Sequence, residues 1–337
     1  MNFCLPGNME FTIKKYLPAL LLFISIFSVD NLLAASLPGL NTREQNPMLQ
    51  AYYIPGISSA WRERDGWLLS QSLFITNTYQ RESASNETLI IDSENYRYDL
   101  SIGYQYQDWQ LSTRVSLISN EGGKLDSVIE DWHDLFGLPQ NGRTGNPDDR
   151  LNMQYSRNGI LIFQQHKPKT GIGDIALSVG YQLYRDETSS RQISFGIELP
   201  TGDVKKSTGN DAIDFALWLD QVVSINQKSR LYGLIGISRP GNGGQLQSLL
   251  KSNVWFGQLG VDYTIYPGWT GIVQVDVHSK IVSDSELTAF GNSMQIQLGL
   301  KLENWLEQQD INLFFAEDIL VGSAPDISFG VQLTTKY

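Results

Sequence analysis

The chain has 337 residues and a net charge of −11, and that acidity excludes a nucleic-acid partner, because phosphate contacts need clustered Lys and Arg. Hydrophobic residues make up 41%, too few for a bundle of membrane-spanning helices. Charged residues are only 18%, while Tyr 15, Phe 14, Trp 8 and Gly 30 suit many strands with small residues where backbones crowd.

The first predicted element is a secretory signal over residues 1–35. Lys14 and Lys15 form its basic start and "YLPALLLFISIFSV" (Tyr16 to Val29) its apolar core, shorter than a membrane span. Ala34, Ala35 and Ser36 supply small residues for cleavage. Removing it takes away Lys14, Lys15, Glu10 and Asp30, two of each sign, so the net charge stays at −11. Cys4, the only cysteine, goes with it, which leaves no thiol, disulfide or lipid-attachment site. No later run is long and apolar enough for a spanning helix. Residues 36–66 are expected to be an N-terminal periplasmic segment, too short for a folded plug domain, a passenger or chaperone-like repeats.

From residue 67 onward the sequence alternates with period two. In "NYRYDLSIGYQYQDWQLSTRVSLIS", Tyr96, Tyr98, Leu100, Ile102, Tyr104 and Tyr106 share one face, and Arg97, Asp99, Ser101, Gly103 and Gln105 the other. After a turn at Gln107–Asp108, Trp109, Leu111, Thr113, Val115 and Leu117 continue the apolar face. Twelve such segments are expected, near 67–79, 94–106, 109–119, 172–184, 191–199, 212–225, 229–238, 253–266, 269–279, 292–303, 309–320 and 325–337. Those at 212–225 and 229–238 alternate poorly. The connections alternate short and long, as in an outer-membrane barrel with an even strand number. The longer ones fall at 80–93, 120–171, 200–211, 239–252 and 280–291, with 321–324 the short exception. "NGILIFQQ" at 158–165 is placed within the second long loop to keep the parity. The predicted fold is therefore all-β: a transmembrane antiparallel β-barrel of about 12 strands over 67–337, with an amphipathic helix in a long extracellular loop.

Aromatic residues gather at one end of the predicted strands: Trp67, Tyr106, Trp109, Tyr181, Tyr263, Trp269 and Tyr337, as at a lipid–water boundary. The last strand, "FGVQLTTKY", places Phe329 and Tyr337 on the apolar face. It looks like the sorting signal that barrel-assembly machinery reads, and its partner should be the first strand. The inferred lumen face carries Arg97, Arg114, Lys301 and Lys336 against Asp99, Asp174, Glu198, Asp214, Asp220, Asp262, Asp276 and Asp318, with His278 also inward. Eight acidic groups against four basic ones lead to an expected cation preference, weakening as salt rises.

In the second long loop, Val128, Ile129, Trp132, Leu135 and Phe136 fall on one helical face, with Gly137 and Pro139 as stops. A helix near 126–136 could fold into the mouth as a gate through Trp132, His133, Leu135 and Phe136. Enzyme signals are weak. The three histidines, His133, His166 and His278, have no metal spacing, and "GIGDI" lacks the third glycine and following helix of a nucleotide loop. No catalytic, cofactor or metal residue is assigned.

The stretch from Trp132 to Pro139, followed by Gly142 and Arg143, is similar to loops of the FHDLFGLP type in a proteobacterial family of outer-membrane proteins of unknown function. "NPMLQAYYIPG" (46–56), "GIGDI" (171–175) and "ELPTGD" (198–203) resemble that family's other recurring stretches. The last two also resemble barrels of aromatic-degradation clusters. The resemblance implies a barrel in the outer membrane, in contact with lipid and lipopolysaccharide, and supplies no activity. The functions in play are a narrow channel or passive transporter for small solutes, a closed structural or interaction barrel, and a lipid-modifying enzyme.

Overall fold

The computed structural model describes residues 39–42, 44–56, 65–137, 149–306, 309–319 and 324–337. The signal segment and Pro139 lie outside them. The period-two stretches form strands: β1 (Gly66–Ser83), β2 (Glu87–Tyr106), β3 (Trp109–Glu121), β4 (Asn152–Arg157), β5 (Ile160–Gln165), β6 (Lys169–Ile172), β7 (Ile175–Arg185), β8 (Ser189–Leu199), β9 (Asp214–Asn226), β10 (Ser229–Arg239), β11 (Val254–Tyr266), β12 (Trp269–His278), β13 (Ser293–Leu306), β14 (Gln309–Asp318) and β15 (Ile327–Lys336). Among the described residues one α-helix, α1, spans Asp126–Phe136. It ends at Gly137, whose φ of 67° is the left-handed turn-off that glycine adopts without strain.

The barrel is a twelve-strand antiparallel cylinder. β3 pairs with β6 along its upper half and with β7 along its lower half, so these two pieces make one wall strand interrupted at Gly173–Asp174. β15 pairs with β1 over Leu68↔Lys336 to Asn77↔Ile327 and closes the ring. Tyr337 extends the seam, its N–H donating to Trp67 O at 2.9 Å and its C=O accepting from Trp67 N at 3.0 Å. Closure leaves no open edge in the wall, a condition that lipid imposes because it cannot satisfy free backbone groups.

Two expectations change at the long-loop end. The segment 80–93 is strand and not loop: β1 and β2 pair from Gly66↔Gln105 up to Ser83↔Thr88. β4 then adds to β2 through Glu87↔Arg157 to Asp92↔Asn152, and β5 adds to β4. Leu89, Ile91, Met153 and Tyr155 are buried on one face there, while Thr88 on the other is exposed and Ile90 and Gln154 are half-buried. "NGILIFQQ" lies in this small hairpin, outside the wall count.

The outward face is apolar and uncovered. Leu111, Phe195, Ile235, Trp255, Leu259, Leu313 and Phe329 are each more than 40% exposed. A soluble sandwich would bury such a continuous belt; a lipid-facing barrel presents it. Trp67, Tyr106, Trp109, Tyr263, Tyr266 and Trp269 stand exposed at the short-turn end, with Trp109 beside Tyr181 at a ring separation of 4.8 Å. Register produces this girdle, since these residues lie within the first two or last four positions of their strands.

Candidate functional site

The inward face decides what the barrel can pass, and the chain's own N-terminal segment occupies it. Residues 39–42 and 44–56, part of the stretch 36–66 that the sequence marks as an N-terminal periplasmic segment, lie inside the wall. Leu40, Thr42, Glu44, Asn46, Met48, Leu49, Gln50, Tyr52, Tyr53 and Ile54 are all buried. The segment is too short to fold alone, and it has no need to, because the wall supplies its partners.

The ascending leg runs in step with β12. The Gln274 side chain accepts from Leu40 N at 3.0 Å and donates to Leu40 O at 3.2 Å, imitating a backbone ladder. Two residues on, the Thr42 hydroxyl donates to Asp276 and accepts from Gln274 Nε2 at 3.0 Å and Gln258 Nε2 at 3.3 Å. Two further on, Glu44 Oε2 meets His278 Nε2 at 2.5 Å. Strand periodicity explains the match, since alternate residues of each chain face one another. Asn46 and Pro47 then start a single turn: Asn46 Oδ1 accepts from Met48 N at 3.0 Å, and Pro47 needs no donor at the first turn position. The descending leg is held by Tyr53, whose N–H donates to Asp214 Oδ2 at 3.0 Å and whose C=O accepts from the Ser238 hydroxyl. The two legs touch at Gly56, where a Cβ would stand 2.1 Å from Thr42 O.

The wall makes room for the segment with small residues. A Cβ on Gly196 would meet the Tyr53 hydroxyl at 2.4 Å, and one on Gly299 would meet Leu40 at 3.2 Å. Tyr232 lies across both Gly39 and Gly260. Trp218 and Val222 of β9 and Tyr232 and Leu234 of β10 point inward and are buried. At the long-loop end, Met48, Leu49 and Tyr52 belong to one buried apolar cluster with Phe163, Leu246, Ile281, Val282, Leu287 and Phe290. The segment and the outer loops are therefore joined by apolar packing.

Most of the charges assigned to the lumen face are buried and engaged. Arg97 Nε pairs with Asp99 at 2.9 Å, and Nη2 reaches the Ser116 hydroxyl at 3.3 Å. Arg230 grips both carboxylate oxygens of Asp262 at 3.0 and 2.5 Å. Lys336 pairs with Asp310 at 3.2 Å. Lys301 is buried at this same end, in register with Thr270 and Asn312. Asp276, His278 and Asp214 hold the N-terminal segment. Asp174 leaves the wall at the β6–β7 break and accepts from Gly202 N at 2.7 Å and Asn210 N at 2.9 Å, so "GIGDI" and "ELPTGD" meet there. Asp220 is buried opposite Gln192 and Leu234, and Asp318 is half-buried opposite Gln295. Glu198 lies 4.0 Å from Arg114 Nη2, beyond hydrogen-bond length.

Beneath the segment a cavity of about 110 Å³ remains, lined by Ser70, Ser112, Ser178, Gln332 and Tyr53 among others. Arg114 is the one charged side chain lining it among the described residues. A count of eight acids against four bases therefore does not describe this space.

The loop helix is anchored at the rim by Asp126, which accepts from Asn77 Nδ2 at 3.0 Å and Asp149 N at 2.8 Å. Ile129 is buried, but Leu135 is 75% exposed and Val128 56%, so these two do not pack into the mouth. The side chains of Trp132, His133 and Phe136 lie outside the described residues. Among the described residues no three His, Cys, Asp or Glu side chains are grouped to hold a metal.

No curated protein matches the sequence. Among solved structures, the barrel is similar to the COG4313 outer membrane channel from Pseudomonas putida F1, with a TM-score of 0.53 and 10% identity over 87% of this chain and 100% of that one. The KdgM porin aligns with a TM-score of 0.43 and 8% identity over 80% and 99% of the two chains. The P. putida toluene transporter TodX aligns with a TM-score of 0.41 and 9% identity over 81% and 91%. The twelve-strand antiparallel barrel fold is thus shared with the first of these structures. A family model described as protein of unknown function (DUF3187) matches residues 23–337, and the chain belongs to that family.

Proposed function

We propose that the protein is an outer-membrane channel for small solutes, held shut by its own residues 39–56. The observation that carries the reading is the way the segment is held. Among the described residues it joins no strand ladder of the wall; side-chain hydrogen bonds and packing fix it in a polar bore. Such contacts exchange readily for water once the bore fills, whereas breaking a ladder would open the barrel. In this reading lipid and lipopolysaccharide meet the apolar belt, and the assembly machinery reads β15 with Phe329 and Tyr337.

A permanently closed barrel is the second reading, favoured by the apolar cluster that ties Met48, Leu49 and Tyr52 to the outer loops. Fractionation and liposome swelling separate the possibilities. The channel reading expects the protein in the outer-membrane fraction. It also expects a slow leak of small solutes from intact protein and a faster one from Thr42→Val. Recovery as a soluble periplasmic protein would remove the location. A folded Thr42→Val protein that leaks no more than protein-free vesicles would favour the closed barrel.

A further inference from the structure

We propose that Glu44 and His278 form a pH-sensitive latch, which holds the N-terminal segment in the bore at mildly acidic pH and releases it as the pH rises. The assignment names a regulation of the channel and rests on that reading for its role in transport. Both side chains are buried. His278 stands at the long-loop end of β12, and its Nδ1 donates to Ser279 O at 2.9 Å, because a carbonyl can only accept. The other nitrogen, Nε2, meets Glu44 Oε2 at 2.5 Å. A contact this close needs one proton between the two atoms. Imidazolium against carboxylate supplies it, and so does neutral imidazole against carboxylic acid; both arrangements hold the same number of protons. Without that proton a ring lone pair faces a carboxylate in a buried place, and the contact that held them becomes repulsive.

The surroundings set the direction. A cavity of about 20 Å³ touches both side chains, and among the described residues lining it only Glu44, Asp276 and His278 titrate. Asp276, on β12 itself, accepts from the Thr42 hydroxyl, from Gln258 Nε2 at 2.9 Å and from Gln274 Nε2 at 2.9 Å, so its partners suit a carboxylate. The neighbouring strands set uncharged residues opposite His278, Phe256 on β11 and Ser293 on β13. Loss of the shared proton therefore leaves two carboxylates with no positive group between them. The closed state binds this proton and the released state has no need of it, so raising the pH favours release. The latch is at full strength below about pH 6.5, where an exposed histidine is charged, and it is lost on the alkaline side. Glu44 Oε1 accepts from Asn46 N at 2.6 Å, which fixes the carboxyl and ties the turn of the segment to the same latch.

That fixed orientation gives a decisive variant. In Glu44→Gln the side-chain oxygen stays on Asn46 N and the NH2 faces His278 Nε2. It can donate to a neutral ring and is repelled by a charged one, so the pH dependence should invert. The test is the rate of maleimide labelling of Leu49→Cys in the full-length protein in detergent between pH 6 and 8.5. Each rate is divided by that of Ile160→Cys, whose position is 68% exposed, so that the reagent's own pH dependence cancels. The corrected rate should rise about fivefold or more with pH in the otherwise natural protein, the shift expected when one buried hydrogen bond is lost. It should fall with pH in Glu44→Gln and stay flat in His278→Gln, which keeps a donor and cannot titrate. Heat-shifted migration on a denaturing gel monitors folding, and Glu44→Gln decides the matter if His278→Gln does not fold. A flat corrected rate in the natural protein, or a rise in Glu44→Gln equal to that of the natural protein, would overturn the latch. Release that follows pH in a barrel that never conducts would support the latch and remove the channel. A conducting barrel whose labelling ignores pH would overturn the latch alone.

Discussion

Thr42 is the residue on which the proposed closed state turns. Its hydroxyl makes three hydrogen bonds, to Asp276, Gln258 and Gln274, and Thr42→Val removes all of them while keeping the shape. The change leaves the Asp276 carboxylate short of a donor in a buried site, at a cost of about 1–3 kcal/mol. That corresponds to roughly a fivefold to hundredfold shift towards the released segment. A Leu49→Cys reporter can measure it, because Leu49 is buried and Cys4, the only native cysteine, falls in the segment expected to be cleaved. Maleimide labelling of the introduced thiol should be slow with Thr42 present and several-fold faster with Thr42→Val. Equal labelling in both would mean that Thr42 does not hold the segment.

At the scale of elements, the strands were legible wherever one face met lipid and the other met water. β2 and β3 alternate cleanly for that reason, and their residues fall on the predicted sides; in β15 Phe329 is exposed, but Ile327, Leu333 and Thr335 of the same face are buried. β9 and β10 resisted the same reading because Trp218, Val222, Tyr232 and Leu234 face inward. Their apolar inner face reflects something inside the barrel for them to pack on. The segment keeps strand spacing only from Leu40 to Glu44 before a turn capped by Asn46, too short a run for a helix or strand template to fit. The closing seam was legible, and its aromatic stack was not. Phe314 covers Gly330, where a Cβ would stand 2.0 Å from the ring, and Phe74 lies 5.6 Å from Phe314 across the seam. Gly330→Val should therefore reduce the folded, heat-shifted fraction on a gel severalfold. Deletion of Tyr337, which loses both bonds to Trp67, should reduce it without reducing export. Normal folded levels for both variants would separate barrel closure from these contacts.

For the whole molecule, the charge pattern shows why a residue count misleads. Alternation along the strands identifies the inward set, but its charges sort by height and by partner. Arg230, Asp262, Lys301, Asp310 and Lys336 lie at the short-turn end, and Asp276, His278 and Asp214 are taken by the segment. Only the folded barrel leaves Arg114 facing the cavity. The same holds for the obstruction. The helix at 126–136 was visible in the sequence and forms, yet of its described apolar residues Val128 and Leu135 are exposed and Ile129 is buried, while residues 39–42 and 44–56 lie in the bore. Single-channel recording in planar bilayers puts this to the most direct test, comparing the intact protein, a 39–56 deletion and a 126–142 deletion, each shown to be folded. The intact protein and the loop deletion should stay shut most of the time, and the 39–56 deletion should hold a steady open conductance. A folded 39–56 deletion as silent as the intact protein would contradict a channel closed by its own N-terminal segment.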